Sequence, residues 1–91
     1  MITLRIAHIL ALQNLHRDLE GLADHEADPP QTSASYLRAF VVRAIDTPDD
    51  FPIDKLARWT GFVQGVMAAR GWISVQAERD RTRPLFTACT P

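Results

Sequence analysis

The chain opens with an apolar pattern typical of an amphipathic helix. Apolar positions recur every three or four residues from Leu4 to Leu22, which is the period of one helix face. This face consists of Leu4, His8, Ala11, Leu15, Leu19 and Leu22. The first half has a second apolar side, made of Ile2, Ile6, Ile9 and Leu10. We predict a helix over residues 3–23 with Thr3 as its cap. A helix that is apolar on nearly all sides must be buried on nearly all sides, so the pattern also suggests contact with a second subunit.

A second helix is indicated by a proline pair followed by capping residues. Pro29 and Pro30 cannot continue a helix. Thr32 or Ser33 can then cap a helix over residues 33–46, because a side-chain hydroxyl accepts a hydrogen bond from a free amide of the first turn. The apolar face of this helix consists of Leu37, Phe40, Val41, Ala44 and Ile45.

Two more helices follow from proline and glycine positions. Proline in a first turn and glycine just past a last turn are expected helix boundaries, and they predict a third helix over residues 52–70, ended by Gly71. Ser74 predicts the cap of a fourth helix over residues 74–83, and Pro84 is expected to stop it. No strand pattern is present, and the last residues are expected to form a tail held by Leu85 and Phe86.

Length and composition limit the class of protein. The 91 residues suffice for one domain, and a hydrophobic fraction of 46% is that of a folded globule. The predicted fold is therefore all-α, a small bundle of three long helices plus one short C-terminal helix in a single domain over residues 1–91. A single cysteine, Cys89, cannot form an internal disulfide, which favours the cytoplasm. Polar residues follow the short apolar run of the first helix at once, which favours a core helix over a targeting or membrane segment.

Charge is unevenly distributed along the chain. The net charge of −1 argues against a general nucleic-acid or anionic-membrane binder. Five acids and no Lys or Arg lie between Asp18 and Asp28, whereas six bases and two acids follow from Lys55 onward. We therefore expect an acidic side and an arginine-bearing end.

The third helix has two different faces. The bulky face consists of Leu56, Trp59, Val63, Val66 and Met67, with Phe62 at its edge. The small face consists of Ala57, Gly61, Gly65 and Ala68, with Gln64 beside it. A glycine inside a helix costs about 1 kcal/mol relative to alanine, and close approach of another backbone over Gly61 and Gly65 would offset that cost. Two interpretations stay open. Either a partner docks there, with Arg58, Gly61, Gln64 and Gly65 as partner-binding residues, or the first or second helix of the same chain crosses there.

Motifs for catalysis or metal binding are not found. His8 and His16 are not at ligand spacing on one helix face, and His25 lies in an acidic linker, so no zinc pattern exists. We expect His8 to be a core histidine bonded to a backbone carbonyl. No nucleophile motif is present, and Gly61 and Gly65 lie inside a helix rather than in a phosphate loop. The sequence predicts no catalytic residue, no metal, no cofactor and no enzymatic activity.

An arginine group offers an alternative function. Arginines together with an exposed aromatic ring can hold a nucleotide or single-stranded base by charge and stacking. The residues that would do so are Arg70, Trp72, Arg79 and Arg83. The other interpretation is ordinary helix chemistry, in which Glu78 and Asp80 pair with these arginines.

One segment resembles a known group of proteins. It runs Arg58-Trp59-Thr60-Gly61-Phe62-Val63-Gln64-Gly65 and is followed by Arg83-Pro84. This pattern resembles small proteins of tailed phages and prophages that have an Arg-Trp-x-Gly-Phe-x-Gln-Gly helix and a downstream Arg-Pro. The resemblance covers the C-terminal part of the chain only. It implies a phage or prophage origin and action in the host cytoplasm by inhibiting or redirecting host machinery, including anti-defence roles.

These observations together predict a non-enzymatic helical interaction protein. We expect it to bind a host or phage macromolecule, in the first place a protein, and to form a homodimer. No membrane association is expected, and a nucleotide or nucleic acid is the alternative ligand.

Overall fold

A computed structural model describes residues 2–89 and shows four α-helices in that range. They are α1 (Leu4–Leu19), α2 (Ala34–Asp46), α3 (Ile53–Ala69) and α4 (Val75–Thr87). Single turns of 3₁₀-helix precede α2 and α3, at Pro30–Thr32 and Pro48–Asp50. The predicted all-α bundle is confirmed. The end of the predicted tail, Thr90 and Pro91, lies outside the described residues.

Hydroxyl caps begin three of the four helices. Thr3, Ser33 and Ser74 each accept a hydrogen bond from the backbone amide three residues further along, at 3.1, 3.2 and 3.0 Å. Each bond satisfies a donor that the first helical turn leaves without a partner. The predicted starts of α1, α2 and α4 are therefore confirmed, and Ser33 rather than Thr32 caps α2.

The first helix is shorter than predicted. It ends at Leu19 instead of near residue 23, because Gly21 takes a left-handed conformation with φ of 77°. Arg38 of α2 then donates to two backbone carbonyls at this end, those of Leu19 and Leu22, at 2.7 and 2.8 Å. Leu22 still packs against the core from outside the helix, which explains why the apolar period runs past the helix end.

The fourth helix is longer than predicted. It runs through Pro84 to Thr87, although a proline lacks the amide that would bond one turn back. Packing against α1 supports the extra turn, since the Phe86 ring lies edge-on to the ring of His8 at a centroid distance of 4.9 Å. A parallel bridge between Ile2 and Cys89 ties the two ends together just beyond it. The predicted stop at Pro84 was therefore wrong.

The first helix lies at the centre of the bundle. It packs against α2, α3 and α4. The fully buried Ala7 and Ala11 let neighbouring helices approach its backbone. The core comprises Leu12, Leu15, Leu19, Ala34, Leu37, Val41, Ala44, Phe51, Leu56, Val63 and Met67. On the second apolar side, Ile9 packs against the core and Ile6 stays 45% exposed. The chain thus covers part of this second side and leaves Ile6 exposed.

Candidate functional site

The glycines of α3 face solvent. A methyl group built on Gly61 or Gly65 would meet no atom of a neighbouring element within 4 Å. The interpretation in which another helix of the same chain crosses this face is therefore wrong. No part of the described fold offsets the cost of two glycines inside this helix.

The buried face of α3 is turned slightly from the predicted one. Its buried residues are Leu56, Thr60, Val63 and Met67. Trp59 is only half-buried, with its ring 4.5 Å from that of Phe40 and 5.4 Å from that of Phe62 (centroid distances). Thr60 is tolerated in the core because its hydroxyl donates to the Leu56 carbonyl at 2.8 Å. Trp59 therefore covers the junction with α2, and Phe62 remains 40% exposed beside the glycines.

A groove lies between α3 and α4, next to the glycine face. Its volume is about 260 Å³, and it is lined by Gln64, Gly65, Ala68, Ile73, Val75, Glu78, Arg79 and Thr82. On the wall formed by α3, Gly65 and Ala68 have almost no side chain, so the helix backbone lies close to the groove. Val75 is 60% exposed, a high value for so apolar a side chain. The groove therefore combines an open apolar surface with a few polar groups.

A network of hydrogen-bonded polar side chains beneath the groove fixes α4 to α1 and α3. The Glu78 carboxylate, buried at 7% exposure, accepts hydrogen bonds from Gln64 at 2.8 Å and from Arg81 at 2.5 Å. Arg81 also donates to Asp18 of α1. Burial acts to lower the pKa of Arg81, but the hydrogen bonds and negative charges of Asp18 and Glu78 raise it above its ordinary value. This network of polar side chains holds one wall of the groove in place.

Sequence reasoning missed the role of Arg81. One of its two interpretations paired Glu78 and Asp80 with arginines of the predicted fourth helix. Pairing does occur, from Glu78 to Arg81 and, at 3.9 Å, from Asp80 to Arg83. The spacing of three residues between Glu78 and Arg81 was a visible signal. The long-range contact to Asp18 had none.

Arg70 and Trp72 fasten a loop, beside an open concavity of about 420 Å³ that Arg70 lines together with Asp28 and Thr32. Arg70 donates to the Asp28 carboxylate at 2.6 Å and to the Thr32 carbonyl at 3.2 Å. Its guanidinium also lies 4.7 Å from the centroid of the Trp72 ring, which packs against the core. The hydrogen bond from the backbone amide of His25 is the largest effect and lowers the pKa of Asp28; burial acts to raise it, and the hydrogen bond and charge of Arg70 lower it further. These contacts tie the α1–α2 linker to the end of α3.

Arg79 and Arg83 lie apart from that loop. Arg79 lines the α3–α4 groove, is exposed, and makes no side-chain hydrogen bond or ion pair with any other described residue. The side chain of Arg83 is 63% exposed. The four residues of the predicted nucleotide patch therefore do not line one common cavity.

The histidines do not converge. His8 is 8% exposed, and its Nδ1 has no hydrogen-bond partner within residues 2–89, so the expected bond to a carbonyl is absent. Burial lowers the pKa of His8. His16 lies 3.5 Å from Glu20 on the same helix. Among the residues that the structure describes, no three His, Cys, Asp or Glu side chains are placed to hold a metal ion.

A wider concavity of about 500 Å³ opens between α1 and α2. It is lined by Gln13, His16, Arg17, Val42, Ile45 and Asp46. Two of its charged or polar groups already have neighbours on α1, since Arg17 binds Asn14 at 2.8 Å and His16 lies beside Glu20. It lacks the bare backbone that distinguishes the α3–α4 groove.

Comparison with known proteins gave no match. No family model fits the chain, and neither the curated proteins nor the solved structures contain a significant relative. Within residues 2–89, no helix has the length and apolarity needed to cross a bilayer. The geometry of the α3–α4 groove therefore provides the main basis for a functional proposal.

Proposed function

We propose that the protein is a non-enzymatic helical interaction protein that binds a segment of a partner protein in the α3–α4 groove. One observation carries the proposal. Gly65 lies exposed in the groove with Gly61 one turn away, and no other element comes within 4 Å of a methyl group at either position.

The energetics of glycine support a partner at this face. Each glycine inside a helix costs about 1 kcal/mol relative to alanine, and the free chain shows no contact that offsets it. A partner helix lying over Gly61 and Gly65 can bring its backbone closer than any side chain there would allow. Helix-in-groove recognition uses this arrangement, with apolar side chains seated in an apolar groove.

Each predicted partner-binding residue has a place in this proposal. Gly61 and Gly65 form the bare surface, and exposed Arg58 lies one turn before Gly61 on α3. Gln64 is held toward α4 by its hydrogen bond to Glu78, so it forms part of the groove wall. Its amide group is fixed in position before a partner arrives.

The resemblance to phage and prophage proteins suggests where the partner acts. We propose a host or phage protein in the host cytoplasm, whose activity is inhibited or redirected by binding. Anti-defence action belongs to this class. The nucleotide-binding alternative has less support, because Arg70 and Trp72 already bind each other and the linker.

Affinity capture tests the proposal. Purified protein, immobilised by a terminal tag, is exposed to bacterial host lysate alongside Gly61→Leu, Gly65→Leu and the control Ala39→Leu, which changes an exposed position on α2. A specific captured protein should be retained by wild type and control and lost by both glycine variants. Circular dichroism and thermal melting establish that all four chains fold. Equal capture by folded wild type and glycine variants would contradict the groove as binding surface.

A further inference from the structure

His8 is buried where the end of α4 packs on α1. Its side chain is 8% exposed, its ring lies edge-on to that of Phe86 at a centroid distance of 4.9 Å, and its Nδ1 has no hydrogen-bond partner within residues 2–89. A second proton on this ring would place a positive charge in the contact, and an unpaired buried charge costs far more than a neutral polar group. The contact between α1 and the end of α4 therefore requires a neutral His8.

Charged side chains near His8 do not offset such a charge. Arg5, one turn before it on α1, is itself cationic and donates to two carbonyls of the α2–α3 connection. On α4, Arg83 is a cation with a mainly exposed side chain, the Cys89 thiol donates to a backbone carbonyl, and the Glu78 carboxylate is already paired with an arginine. The buried side chains of α2 and α3 carry no ionisable group. Within residues 2–89, burial is the effect that shifts the pKa of His8.

The C-terminal turn, defined as residues 84–89, is weakly attached to the rest of the fold. Pro84 lacks the amide that would bond one turn back, so α4 misses a backbone hydrogen bond where this turn begins. At its other end, the Ile2 amide donates to the Ala88 carbonyl at 3.5 Å, longer than an ordinary backbone bond. A segment with so few contacts can open while the remaining helices stay folded.

We propose that acid releases the C-terminal turn: it is docked on α1 while His8 is neutral and leaves α1 when His8 takes up a proton. The helix opens at Pro84, where it already lacks a bond. Release exposes Leu85 and Phe86 and lets water reach the charged imidazole. The contacts of Arg81 with Asp18 and Glu78 lie before Pro84 and stay in place. This device goes beyond the proposed function, because it does not involve the α3–α4 groove.

Nuclear magnetic resonance of the full, isotope-labelled chain tests the proposal. Heteronuclear NOE values report the mobility of each backbone amide, and the imidazole signals report the protonation of His8. At about pH 7.5 the amides of Leu85, Phe86 and Thr87 should be as rigid as those of α1. As the pH falls below about 6.5, the ordinary pKa of histidine, these three amides should become mobile in step with the titration of the His8 ring, while α1, α2 and α3 stay rigid.

Two variants separate His8 from other titrating groups. His8→Phe keeps an aromatic ring against Phe86 but cannot take up a proton, so its C-terminal turn should stay rigid down to about pH 5. His16→Gln removes another histidine of α1, which lies beside Glu20, and should behave as wild type.

Three results would overturn the proposal. The first is a wild-type turn that stays rigid down to about pH 5, whether or not the His8 ring has titrated. The second is loss of order in α1, α2 and α3 together with the turn, which would be global unfolding. The third is a turn that becomes mobile at the same pH in folded His8→Phe. If His8→Phe does not fold, the wild-type titration decides between release and the first two results.

Discussion

The Arg81 guanidinium of α4 binds the Asp18 carboxylate of α1, a contact that spans 63 residues of chain. The same guanidinium binds Glu78 one turn earlier on α4. Since Glu78 also accepts a hydrogen bond from Gln64 of α3, a single arginine connects three helices. The position of α4, and with it one side of the proposed binding groove, depends on this group.

Replacing Arg81 should destabilise the fold. Arg81→Ala leaves the buried Glu78 carboxylate with Gln64 as its only side-chain partner among residues 2–89, and we expect the free energy of unfolding to fall by about 2 kcal/mol. Arg83→Ala removes only an exposed pair with Asp80 and should change it by less than about 0.5 kcal/mol. Urea unfolding measures both. Similar values for the two variants would mean that the Arg81 contacts do not hold α4.

Acid should weaken the fold through His8. The unfolded chain takes up a proton on this histidine below about pH 6.5, its ordinary pKa, whereas burial lowers the pKa in the folded chain. The free energy of unfolding should therefore decrease as the pH falls below about 6.5 towards the lowered pKa of the folded chain. This group contributes at most about 1.4 kcal/mol per pH unit to that decrease. His8→Leu should show a shallower decrease between pH 7 and 5. His25→Gln, a change at an exposed position, should behave as wild type.

That comparison isolates the histidine because all other titrating groups are common to the two chains. Denaturant unfolding at several pH values provides the slopes. If wild type and His8→Leu lose stability in parallel, His8 is charged in the folded chain or has a partner.

The exposed glycines of α3 should limit stability. Because a methyl group at Gly61 or Gly65 meets no neighbouring element, alanine at either position should raise the free energy of unfolding by about 0.5–1 kcal/mol. Gly71 gives the opposite case, since its φ of 76° disfavours any other residue. Gly71→Ala should cost about 1 kcal/mol. Destabilisation by Gly61→Ala or Gly65→Ala, seen in urea melts, would reveal a contact that the fold does not show.

The Asp28–Arg70 contact should protect the linker between α1 and α2. Asp28→Asn keeps an oxygen that can accept from the His25 amide but removes the charge that Arg70 binds. Backbone amides of residues 24–33 should then exchange with deuterium several-fold faster, whereas Glu26→Gln, an exposed change in the same linker, should have little effect. Since the pKa of Asp28 is lowered in the fold, the protection should persist above its ordinary value of 3.8 and be lost only as the pH falls through the lowered pKa. Unchanged exchange in Asp28→Asn would contradict this role.

Local signals predicted much of the fold. Ser33 and Ser74 cap their own helices through bonds to amides three residues away, so the caps could be found from sequence. Gly21 was an equally local signal for the end of α1, but the apolar period continued to Leu22 and concealed it. Pro84 gave a wrong helix end for the opposite reason, because here tertiary packing overrides the local signal. Packing of Phe86 on α1 extends a helix that proline alone would stop.

The site was less predictable because it depends on how the helices pack. The sequence marked Gly61 and Gly65 as unusual, yet only the packing shows that no other helix covers them. It offered Arg70 as a ligand residue, whereas the fold uses it to bind Asp28. Contacts between residues distant in sequence decide such roles, and a single sequence carries no record of them.

Photo-crosslinking from the groove tests the central claim most directly. p-Benzoyl-phenylalanine is placed at position 75, the 60% exposed groove residue, or at position 39 on α2 as control, in chains expressed in host cells. Irradiation should give a discrete adduct from position 75 and none from position 39. The same adduct should disappear when Gly65→Leu is added to a chain that still folds. No adduct from position 75, or one that survives Gly65→Leu, would contradict the groove as the site where this protein binds its partner.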